Sequence, residues 1–266
     1  MKIAFIGGGN MGEAMLAAIL AKGLSSQEDI TVSDISQSRR QYLGQKYSIN
    51  VTGDNRRSVS SADVAVLAIK PQNLAEVMAE LNGQLKSNQL VLSIVAGARV
   101  DTLCQGLNHS HVVRVMPNTP AQIGEGMSVW TATAEVTEEQ KGWVGSILRA
   151  MGNEIYVAEE KYIDMATAVS GSGPAYVFLF AEAMIDAAMH IGLSYDIAKE
   201  LVSQTLVGSS HFLHKSGKEP SELRRMVTSP GGTTAEALAQ LARGRFTELV
   251  KQAVEAAYSR ARELGS

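Results

Sequence analysis

The feature that most constrains this chain is a glycine-rich turn close to its N-terminus. Gly7-Gly8-Gly9-Asn10-Met11-Gly12 fits the pattern G-x-G-x-x-G and separates the apolar run Lys2–Gly7 from a helical pattern over Met11–Ala21. In that context the first glycine permits a tight turn, the second lets the backbone approach a pyrophosphate, and the third lets helix and strand pack closely. The N-terminus of the helix then faces the phosphates. The segment therefore predicts a strand–turn–helix unit that binds a dinucleotide.

Short β-branched runs alternate with helical patterns from residue 2 to about residue 158. Such alternation favours βαβ units and a mostly parallel sheet. The near-continuous apolar runs Ile3–Ile6 and Val64–Ile69 fit strands that are covered on both faces. The expected strands are Lys2–Gly7, Ile30–Asp34, Val64–Ile69, Leu90–Val95, Val112–Met116, Ser128–Thr131 and Asn153–Val157.

The pattern changes after Glu159, where long helical stretches follow and no strand pattern is evident. We expect an α/β dinucleotide-binding domain of the Rossmann type over residues 1–160 and an all-α domain over residues 161–266. The helix that begins at Pro174 is apolar nearly all round and must be covered on every side. It is either a subunit interface or the centre of a self-contained bundle, and the interface is favoured. The expected helices of this half are Ser172–Ile191, Ser194–Lys215, Glu219–Met226, Thr234–Leu241 and Arg245–Glu263.

The composition is that of a soluble globular protein, with 45% hydrophobic residues, 19% charged residues and a net charge of -3. This charge gives no reason to expect a nucleic acid or an anionic membrane as partner. The most apolar segment, 175–191, carries Glu182 and Asp186, which make it a poor membrane span. The single cysteine, Cys104, leaves no internal disulfide and no cysteine cluster for a metal. We expect a cytoplasmic protein.

The end of the second expected strand bears on the choice between NAD and NADP. Asp34 lies where an acidic residue would hold a ribose 2′-hydroxyl, which favours NAD. Ser33, Ser36, Arg39 and Arg40 cluster around it and could hold a 2′-phosphate instead. Asp34 could equally cap the helix that follows. These interpretations stay open at the level of the sequence.

Two further strand ends are expected near the cofactor. Lys70 and Pro71 follow the strand Val64–Ile69, while Ala96 and Gly97 follow the next strand. Ligands of such sheets bind beyond the carboxyl ends of the strands, and small residues there would leave room for a flat nicotinamide. Ordinary strand-to-helix turns would explain the same residues.

A second glycine-rich turn, Thr228-Ser229-Pro230-Gly231-Gly232-Thr233-Thr234, precedes an expected helix. Its glycines permit backbone conformations closed to other residues, and its threonines supply hydroxyls and free amides at a helix start. The segment predicts a site for a carboxylate or phosphate. Alone, it would read as a proline–glycine turn with a threonine cap.

Two groups of polar side chains have the spacing of metal ligands. Glu182, Asp186 and His190 share one helical face, and His211 and His214 lie one turn apart. No other clustered ligand supports a metal, so these residues are interpreted as polar stripes. We expect no metal.

Motifs along the whole chain resemble the pyrroline-5-carboxylate reductase family, which completes proline biosynthesis. The five motifs, in chain order, are Ala68-Ile69-Lys70-Pro71-Gln72, Ser93-Ile94-Val95-Ala96-Gly97, Arg114-Val115-Met116-Pro117-Asn118-Thr119-Pro120, Ser170-Gly171-Ser172-Gly173-Pro174-Ala175-Tyr176 and Thr228–Thr234. The last two are the most distinctive.

The resemblance implies hydride transfer from NAD(P)H to the C=N carbon of Δ1-pyrroline-5-carboxylate, giving L-proline. It implies NADP(H) as the preferred cofactor, with NAD(H) possible, and a homodimer through the helical domain that builds higher oligomers such as a decamer. Thr234 would be the catalytic hydroxyl near the ring nitrogen. The implied substrate-binding residues are Thr233, Gly232, Gly231, Ser229 and Glu160. The implied cofactor-binding residues are Gly7, Gly8, Gly9, Asn10, Met11, Gly12, Ser33, Asp34, Asn55, Ile69, Lys70, Pro71, Ala96 and Gly97.

Two other classes of protein share the opening glycine-rich turn. β-Hydroxyacid dehydrogenases and related imine reductases use a catalytic lysine on a helix, which the helix after Gly173 lacks. A dinucleotide sensor without enzymatic activity would not need the second anion-binding loop. Both remain alternatives to the reductase interpretation.

Overall fold

The computed structural model describes residues 1–265 and divides them into two compact units. The first comprises Met1–Ser172 together with the chain from Ala257 onward, and the second comprises Gly173–Ala256. The division lies after Ser172, whereas the sequence suggests a boundary at residue 160. The reason is that Glu160 and Asp164 form ion pairs with Arg114 of the first unit.

The first unit is built on an eight-stranded sheet of order β3-β2-β1-β4-β5-β6-β7-β8. All neighbouring strands are parallel except β6 and β7, which are antiparallel. The expected Rossmann-type sheet is therefore confirmed, and β3 is an edge strand that the sequence pattern did not predict. The strands are β1 (Ile3–Ile6), β2 (Ile30–Ser33), β3 (Asn50–Thr52), β4 (Val64–Leu67), β5 (Leu90–Ser93), β6 (Val112–Met116), β7 (Gly126–Ala132) and β8 (Gly152–Tyr156).

Helices cover both faces of this sheet because the side chains of its strands alternate between the faces. In β1, Ile3 and Phe5 belong to one buried cluster, and Ala4 and Ile6 belong to the other. The first cluster includes side chains of α1, α2 and α6, and the second includes side chains of α3, α4 and α5. The helices of this unit are α1 (Asn10–Ala21), α2 (Gln37–Tyr47), α3 (Asn55–Val59), α4 (Leu74–Leu81), α5 (Val100–Leu107), α6 (Glu138–Ala150) and α7 (Lys161–Ala166).

The second unit is helical, as the sequence predicts. Its long helices α8 and α9 are separated by Gly192, whose φ of +105° lies in the left-handed region. Every residue of α8 is at least partly exposed within the described chain, including Phe178 at 60%. A self-contained bundle would bury this helix, so the exposed apolar side chains fit a subunit interface. The helices are α8 (Gly173–His190), α9 (Tyr195–Ser216), α10 (Pro220–Met226), α11 (Thr233–Arg243) and α12 (Phe246–Leu264), which ends in the first unit.

The helical run Lys161–His190 is long and apolar enough to cross a membrane, by length and composition alone. Glu182 and Asp186 interrupt this run, and the sequence therefore predicts a poor membrane span over 175–191. Only 6% of the apolar window is buried within the chain. A subunit interface described without its partner exposes a large apolar area, as a lipid-facing surface does.

Candidate active site

A cleft of about 790 Å³ opens at the carboxyl ends of β1, β2 and β4. The strand order runs outward in both directions from β1 and β4, and ligands of doubly wound sheets bind at this switch point. The predicted cofactor residues that line the cleft are Gly7, Gly9, Ser33, Asp34, Asn55, Ile69 and Lys70.

The glycine-rich turn connects β1 to α1 at the bottom of this cleft. Gly7 has a φ of +96°, and a Cβ there would lie 2.5 Å from the carbonyl oxygen of Ala68. A Cβ on Gly12 would lie 2.7 Å from the carbonyl oxygen of Gly7. Gly9, in contrast, has no atom within 4 Å of its Cβ position apart from those of the glycine itself and its two neighbours in the chain. Gly7 and Gly12 thus permit close packing, and Gly9 leaves open space in front of the first turn of α1.

The Asp34 carboxylate binds a backbone amide of the glycine-rich turn and another just before α2. Its Oδ2 accepts a hydrogen bond from the Gly8 amide at 2.8 Å, and its Oδ1 accepts one from the Ser36 amide at 2.8 Å. The N-cap of α2 is Ser36, whose Oγ accepts from the Arg39 amide at 3.3 Å. The interpretation of Asp34 as the cap of α2 is therefore wrong, because Ser36 performs that role.

Arg39 and Arg40 bind backbone and carboxylate groups around the same turn. Arg39 donates from Nε to the Gly8 carbonyl and forms an ion pair with Glu13. Arg40 donates from Nη1 to the Asp34 carbonyl at 2.6 Å. Both guanidinium groups thereby stabilise the loops that frame the cleft, and neither arginine is among the residues that line it.

Glu13 is the centre of a polar cluster behind the turn. Its carboxylate accepts hydrogen bonds from Lys46 Nζ at 2.9 Å and from the Tyr47 hydroxyl at 2.9 Å. Burial raises the pKa of Glu13, but the hydrogen bonds from Lys46, Arg39 and Tyr47 outweigh it and lower the pKa from 4.5 to about 2. With Glu13 ionised, the cluster therefore stabilises the start of α1.

A hydrogen-bonded chain of three side chains lies where β2 ends. Ser33 donates from Oγ to Asn55 Oδ1 at 2.7 Å, and Asn55 donates from Nδ2 to Glu80 Oε2 at 2.7 Å. Ser33 is buried, and all three residues line the cleft. Ser33 and Asn55 were predicted at the cofactor site, whereas Glu80, which approaches them from α4, was not.

The remaining predicted cofactor residues lie around the cleft without lining it. Gly8 is buried behind the turn, Asn10 and Met11 begin α1, and Pro71 begins a 3₁₀ turn after Lys70. Ala96 and Gly97 follow β5, the strand adjacent to β4.

Gly97 is a close contact point for the end of the chain. It has a φ of +77°, and a Cβ there would lie 2.7 Å from the Leu264 carbonyl oxygen. The last turn of α12 thus packs directly against the loop after β5, which requires glycine at this position.

Glu160, predicted to approach the substrate, holds two groups of the first unit. Its Oε1 accepts from the Val100 amide at 2.8 Å and forms an ion pair with Arg114 Nη1 at 2.7 Å. Arg114 also pairs through Nη2 with Asp164 Oδ1 at 2.7 Å. Arg114 belongs to one of the sequence motifs, but the sequence does not predict the two ion pairs of this buried arginine.

The second glycine-rich turn lies at the start of α11. The Gly232 amide donates to the Ser229 carbonyl at 3.1 Å, and Gly231 has a φ of +68°. Proline followed by a glycine of positive φ is the arrangement of a type II turn. The turn leads into α11, and the first hydrogen bond of this helix runs from the Glu236 amide to the Gly232 carbonyl.

The first turn of α11 is left with unused polar groups. Within residues 1–265, the hydroxyls of Thr233 and Thr234 have no hydrogen-bond partner, and the Ser229 hydroxyl lies beside Gly232. The amides at the start of a helix also lack intrahelical acceptors. Together these donors form a surface that suits a carboxylate.

No group of three or more His, Cys, Asp or Glu side chains that could hold a metal occurs among the described residues. The residues Glu182, Asp186 and His190 therefore do not form such a group in α8. Burial raises the pKa of Cys104, which is the opposite of what an activated thiol requires.

The doubly wound sheet, its glycine-rich turn and the cleft at the switch point define a dinucleotide-binding oxidoreductase of the Rossmann type. Residues 160–264 match the family described as pyrroline-5-carboxylate reductase dimerisation, and residues 2–97 match NADP oxidoreductase coenzyme F420-dependent. The chain belongs to the pyrroline-5-carboxylate reductase family. It acts on the C=N bond of pyrroline-5-carboxylate, and its C-terminal region is a dimerisation domain.

Similar proteins extend over the whole chain. The pyrroline-5-carboxylate reductase of Pseudomonas aeruginosa is 41% identical, over 99% of this chain and 96% of the relative. That of Synechocystis is 38% identical, over 100% of this chain and 98% of the relative. The solved structure of a pyrroline-5-carboxylate reductase from Coxiella burnetii has a TM-score of 0.92 at 37% identity. The match covers 100% of this chain and 98% of the solved chain.

Two further solved structures bear on cofactor and alternatives. A Plasmodium falciparum pyrroline carboxylate reductase with NADP bound has a TM-score of 0.90 at 34% identity, covering 100% of this chain and 98% of its own. An imine reductase from Aspergillus terreus has a TM-score of 0.57 at 16% identity, covering 80% of this chain and 75% of its own. The second likeness shows a shared fold alone, so the alternative of another imine substrate is not favoured.

Proposed function

We propose that this reductase binds NAD(P)H in the cleft of its first unit and the substrate carboxylate at the start of α11. The observation that carries the proposal is the set of unused hydroxyls and amides at Thr233 and Thr234, which follow a type II turn and have no partner within residues 1–265. An anionic substrate supplies the acceptors that these donors lack.

The residues of the cleft fit a dinucleotide. The open space beside Gly9 leaves room for a pyrophosphate in front of the first turn of α1, whose amides and dipole favour negative charge. Lys70, which has no ion pair among the described residues, adds a positive charge at the end of β4. The bound cofactor supplies the hydride. The proposed cofactor-binding residues are Gly7, Gly8, Gly9, Asn10, Met11, Gly12, Ser33, Asp34, Asn55, Ile69, Lys70, Pro71, Ala96 and Gly97.

Thr234 is proposed as the residue that hydrogen-bonds the ring nitrogen. A cyclic imine is easily polarised, so its reduction requires orientation and charge placement more than a strong acid. Gly231 and Gly232 let the turn place the hydroxyls of Ser229 and Thr233 around the carboxylate. Glu160 is also proposed as a substrate-binding residue, and its carboxylate is positioned by Arg114 and the Val100 amide.

NADP(H) is proposed as the preferred cofactor, and NAD(H) as the second. The matched NADP oxidoreductase family and the NADP-bound relative from Plasmodium falciparum support this order. Asp34 is held in place at the cleft by the Gly8 and Ser36 amides, each of which donates to one of its carboxylate oxygens.

The protein is further proposed to act in the cytoplasm as a homodimer that assembles into a higher oligomer such as a decamer. The exposed apolar residues of α8 support the dimer, since about half or more of Val177, Phe178 and Leu179 is exposed within one chain. The low net charge and globular composition support a soluble compartment.

The experiment is to follow oxidation of NADPH and of NADH with Δ1-pyrroline-5-carboxylate as the only substrate. The proposal expects turnover with both cofactors, formation of proline, and a higher kcat/KM with NADPH. A protein that binds either cofactor but turns over neither would contradict the assignment of the substrate site. A higher kcat/KM with NADH would contradict the proposed preference alone.

A further inference from the structure

Glu80 is a carboxylate of the cleft that the assignment of cofactor-binding residues does not use. It lies on α4, where Leu74, Val77 and Leu81 pack into the core and leave Glu76 and Glu80 on the side of the cleft. Glu76 is exposed and has no hydrogen bond among the described side chains, whereas Glu80 is half-buried and accepts from Asn55. The two glutamates therefore differ in one specific contact.

The contact between Glu80 and Asn55 determines which way the asparagine amide faces. An ionised carboxylate only accepts hydrogen bonds, so the amide nitrogen of Asn55, and not its oxygen, must face Glu80. The oxygen Oδ1 then faces Ser33, whose hydroxyl must donate its single proton to it. Reversing the amide would bring two acceptors together at 2.7 Å.

The same chain of hydrogen bonds fixes what the end of β2 offers to a ligand. With its proton committed to Asn55, the Ser33 hydroxyl has only lone pairs left for the cleft. Asn55 keeps a second N–H on Nδ2, which is a donor. A ribose hydroxyl both donates and accepts, and a phosphate accepts, so both kinds of group find a partner here.

We propose that Glu80 is a positioning residue that fixes the amide of Asn55 and the hydroxyl of Ser33 for the adenosine ribose of the cofactor. The inference rests on the proposed function for the placement of the cofactor. Glu80 acts through Asn55 and does not itself contact the ligand. Its negative charge opposes a polyanionic cofactor, while its acceptor oxygen organises the site that binds it.

These two opposite effects can be separated by two substitutions. Glu80→Gln removes the charge but keeps an acceptor, Oε1, for Asn55 Nδ2. Glu80→Ala removes both. Alanine and glutamine are both good helix formers, so neither variant disturbs α4 through propensity. Glu76→Gln and Glu76→Ala are the matched controls, because Glu76 lines the same cleft without touching Asn55.

The measurement is the Kd of the full-length protein for NADP⁺ and for NAD⁺ by calorimetric titration without substrate. We expect Glu80→Gln to bind both at least as tightly as wild type, and Glu80→Ala to bind both about three- to tenfold more weakly, as for one lost hydrogen bond. The two Glu76 variants should bind alike and no more weakly than wild type. Thermal unfolding of each variant verifies that it is folded.

Each other pattern overturns the inference. Equal tightening in both Glu80 variants would mean that only charge acts, and equal weakening in both would mean a purely structural role. If Glu76→Ala weakened dinucleotide binding as much as Glu80→Ala, the effect would not be specific to the contact between Glu80 and Asn55. A wild-type protein that binds neither dinucleotide would contradict the proposed function itself, whereas normal binding without the expected order contradicts this inference alone.

Asn55→Asp gives a second, independent measurement. It sets a carboxylate opposite Glu80, so the variant should bind NADP⁺ more weakly than wild type. Combining it with Glu80→Gln should recover more of the loss than the effect of Glu80→Gln on the wild-type protein accounts for, because glutamine can donate to the new carboxylate. A double variant whose affinity equals the sum of the two single effects would contradict a direct coupling between the two positions.

Discussion

Arg114 on β6 donates from Nη2 to Asp164 Oδ1 at 2.7 Å, and the exposed fractions of the two side chains are 4% and 9%. The same guanidinium binds Glu160 through Nη1. Because these partners lie at the start of α7 and within it, one buried arginine ties the chain that leads toward the dimerisation helices to the sheet. Removing it would leave Asp164 charged and without its partner in a buried position.

Arg114→Ala should therefore lower the free energy of unfolding by about 3–5 kcal/mol, the usual cost of breaking a buried ion pair. Arg149→Ala is the matched control, since Arg149 pairs with Glu154 at 2.7 Å but is 59% exposed. That variant should lose about 1 kcal/mol or less. Urea denaturation of both variants measures the difference. Similar losses in the two would contradict a special role for the buried pair.

The glycines of the first turn should separate folding from binding. Gly9→Ala places its new methyl group in open space and should leave the unfolding free energy within about 0.5 kcal/mol of wild type. It should nevertheless weaken NADPH binding about tenfold or more, because the methyl group occupies the space proposed for the pyrophosphate.

Gly7→Ala is the contrasting variant. Its φ of +96° and the 2.5 Å approach to the Ala68 carbonyl oxygen make alanine a strained residue there. We expect a lower melting temperature for Gly7→Ala and an unchanged one for Gly9→Ala. Unchanged NADPH binding by Gly9→Ala would remove that glycine from the cofactor site.

Thr234→Ala should lower kcat/KM for pyrroline-5-carboxylate by about one to three orders of magnitude, since one or two hydrogen bonds to the reacting ring are lost. Its Kd for NADPH should stay near the wild-type value. Thr234→Ser retains the hydroxyl and should keep most of the activity. Thr228→Ala is a control in the same loop, because the Thr228 hydroxyl is bound to the Arg224 carbonyl. Wild-type kinetics in Thr234→Ala would remove Thr234 from the site.

The Glu13 cluster predicts a pH dependence of stability. The pKa of Glu13 is lowered from 4.5 to about 2, so its ionised form contributes stability above pH 4.5 that is lost as the pH falls toward 2. Glu13→Gln should reduce stability at pH 7 by about 1 kcal/mol, since solvent screens the exposed part of the cluster. The difference between wild type and variant, measured by urea denaturation, should shrink below pH 4.5. A difference that stays constant between pH 7 and pH 3 would contradict the assignment.

The sheet was predictable because its central strands are continuous apolar runs, and the first turn because its glycines stand between a strand and a helix. β3 was not, since Asn50–Thr52 is short, polar and partly exposed and carries no strand pattern. The exposed α8 was foreseen because a helix that is apolar all round needs a covering surface.

The contacts that organise the site could not be predicted from the sequence because they join residues that are distant along the chain. Asn55 and Glu80 lie 25 positions apart, and Arg114 and Asp164 lie 50 apart. Local propensity carries no information about such pairs. The sequence left open whether Asp34 caps the next helix, and the structure excludes that alternative because Ser36 is the cap while the Asp34 carboxylate binds the distant Gly8 amide.

The most direct test of the central claim is to supply NADPH deuterated at the transferable position of its nicotinamide, together with unlabelled Δ1-pyrroline-5-carboxylate. Mass spectrometry of the product should find proline that carries one deuterium on the ring carbon of the former C=N bond. Unlabelled proline, or no proline in a protein that binds NADPH, would contradict direct hydride transfer to this substrate.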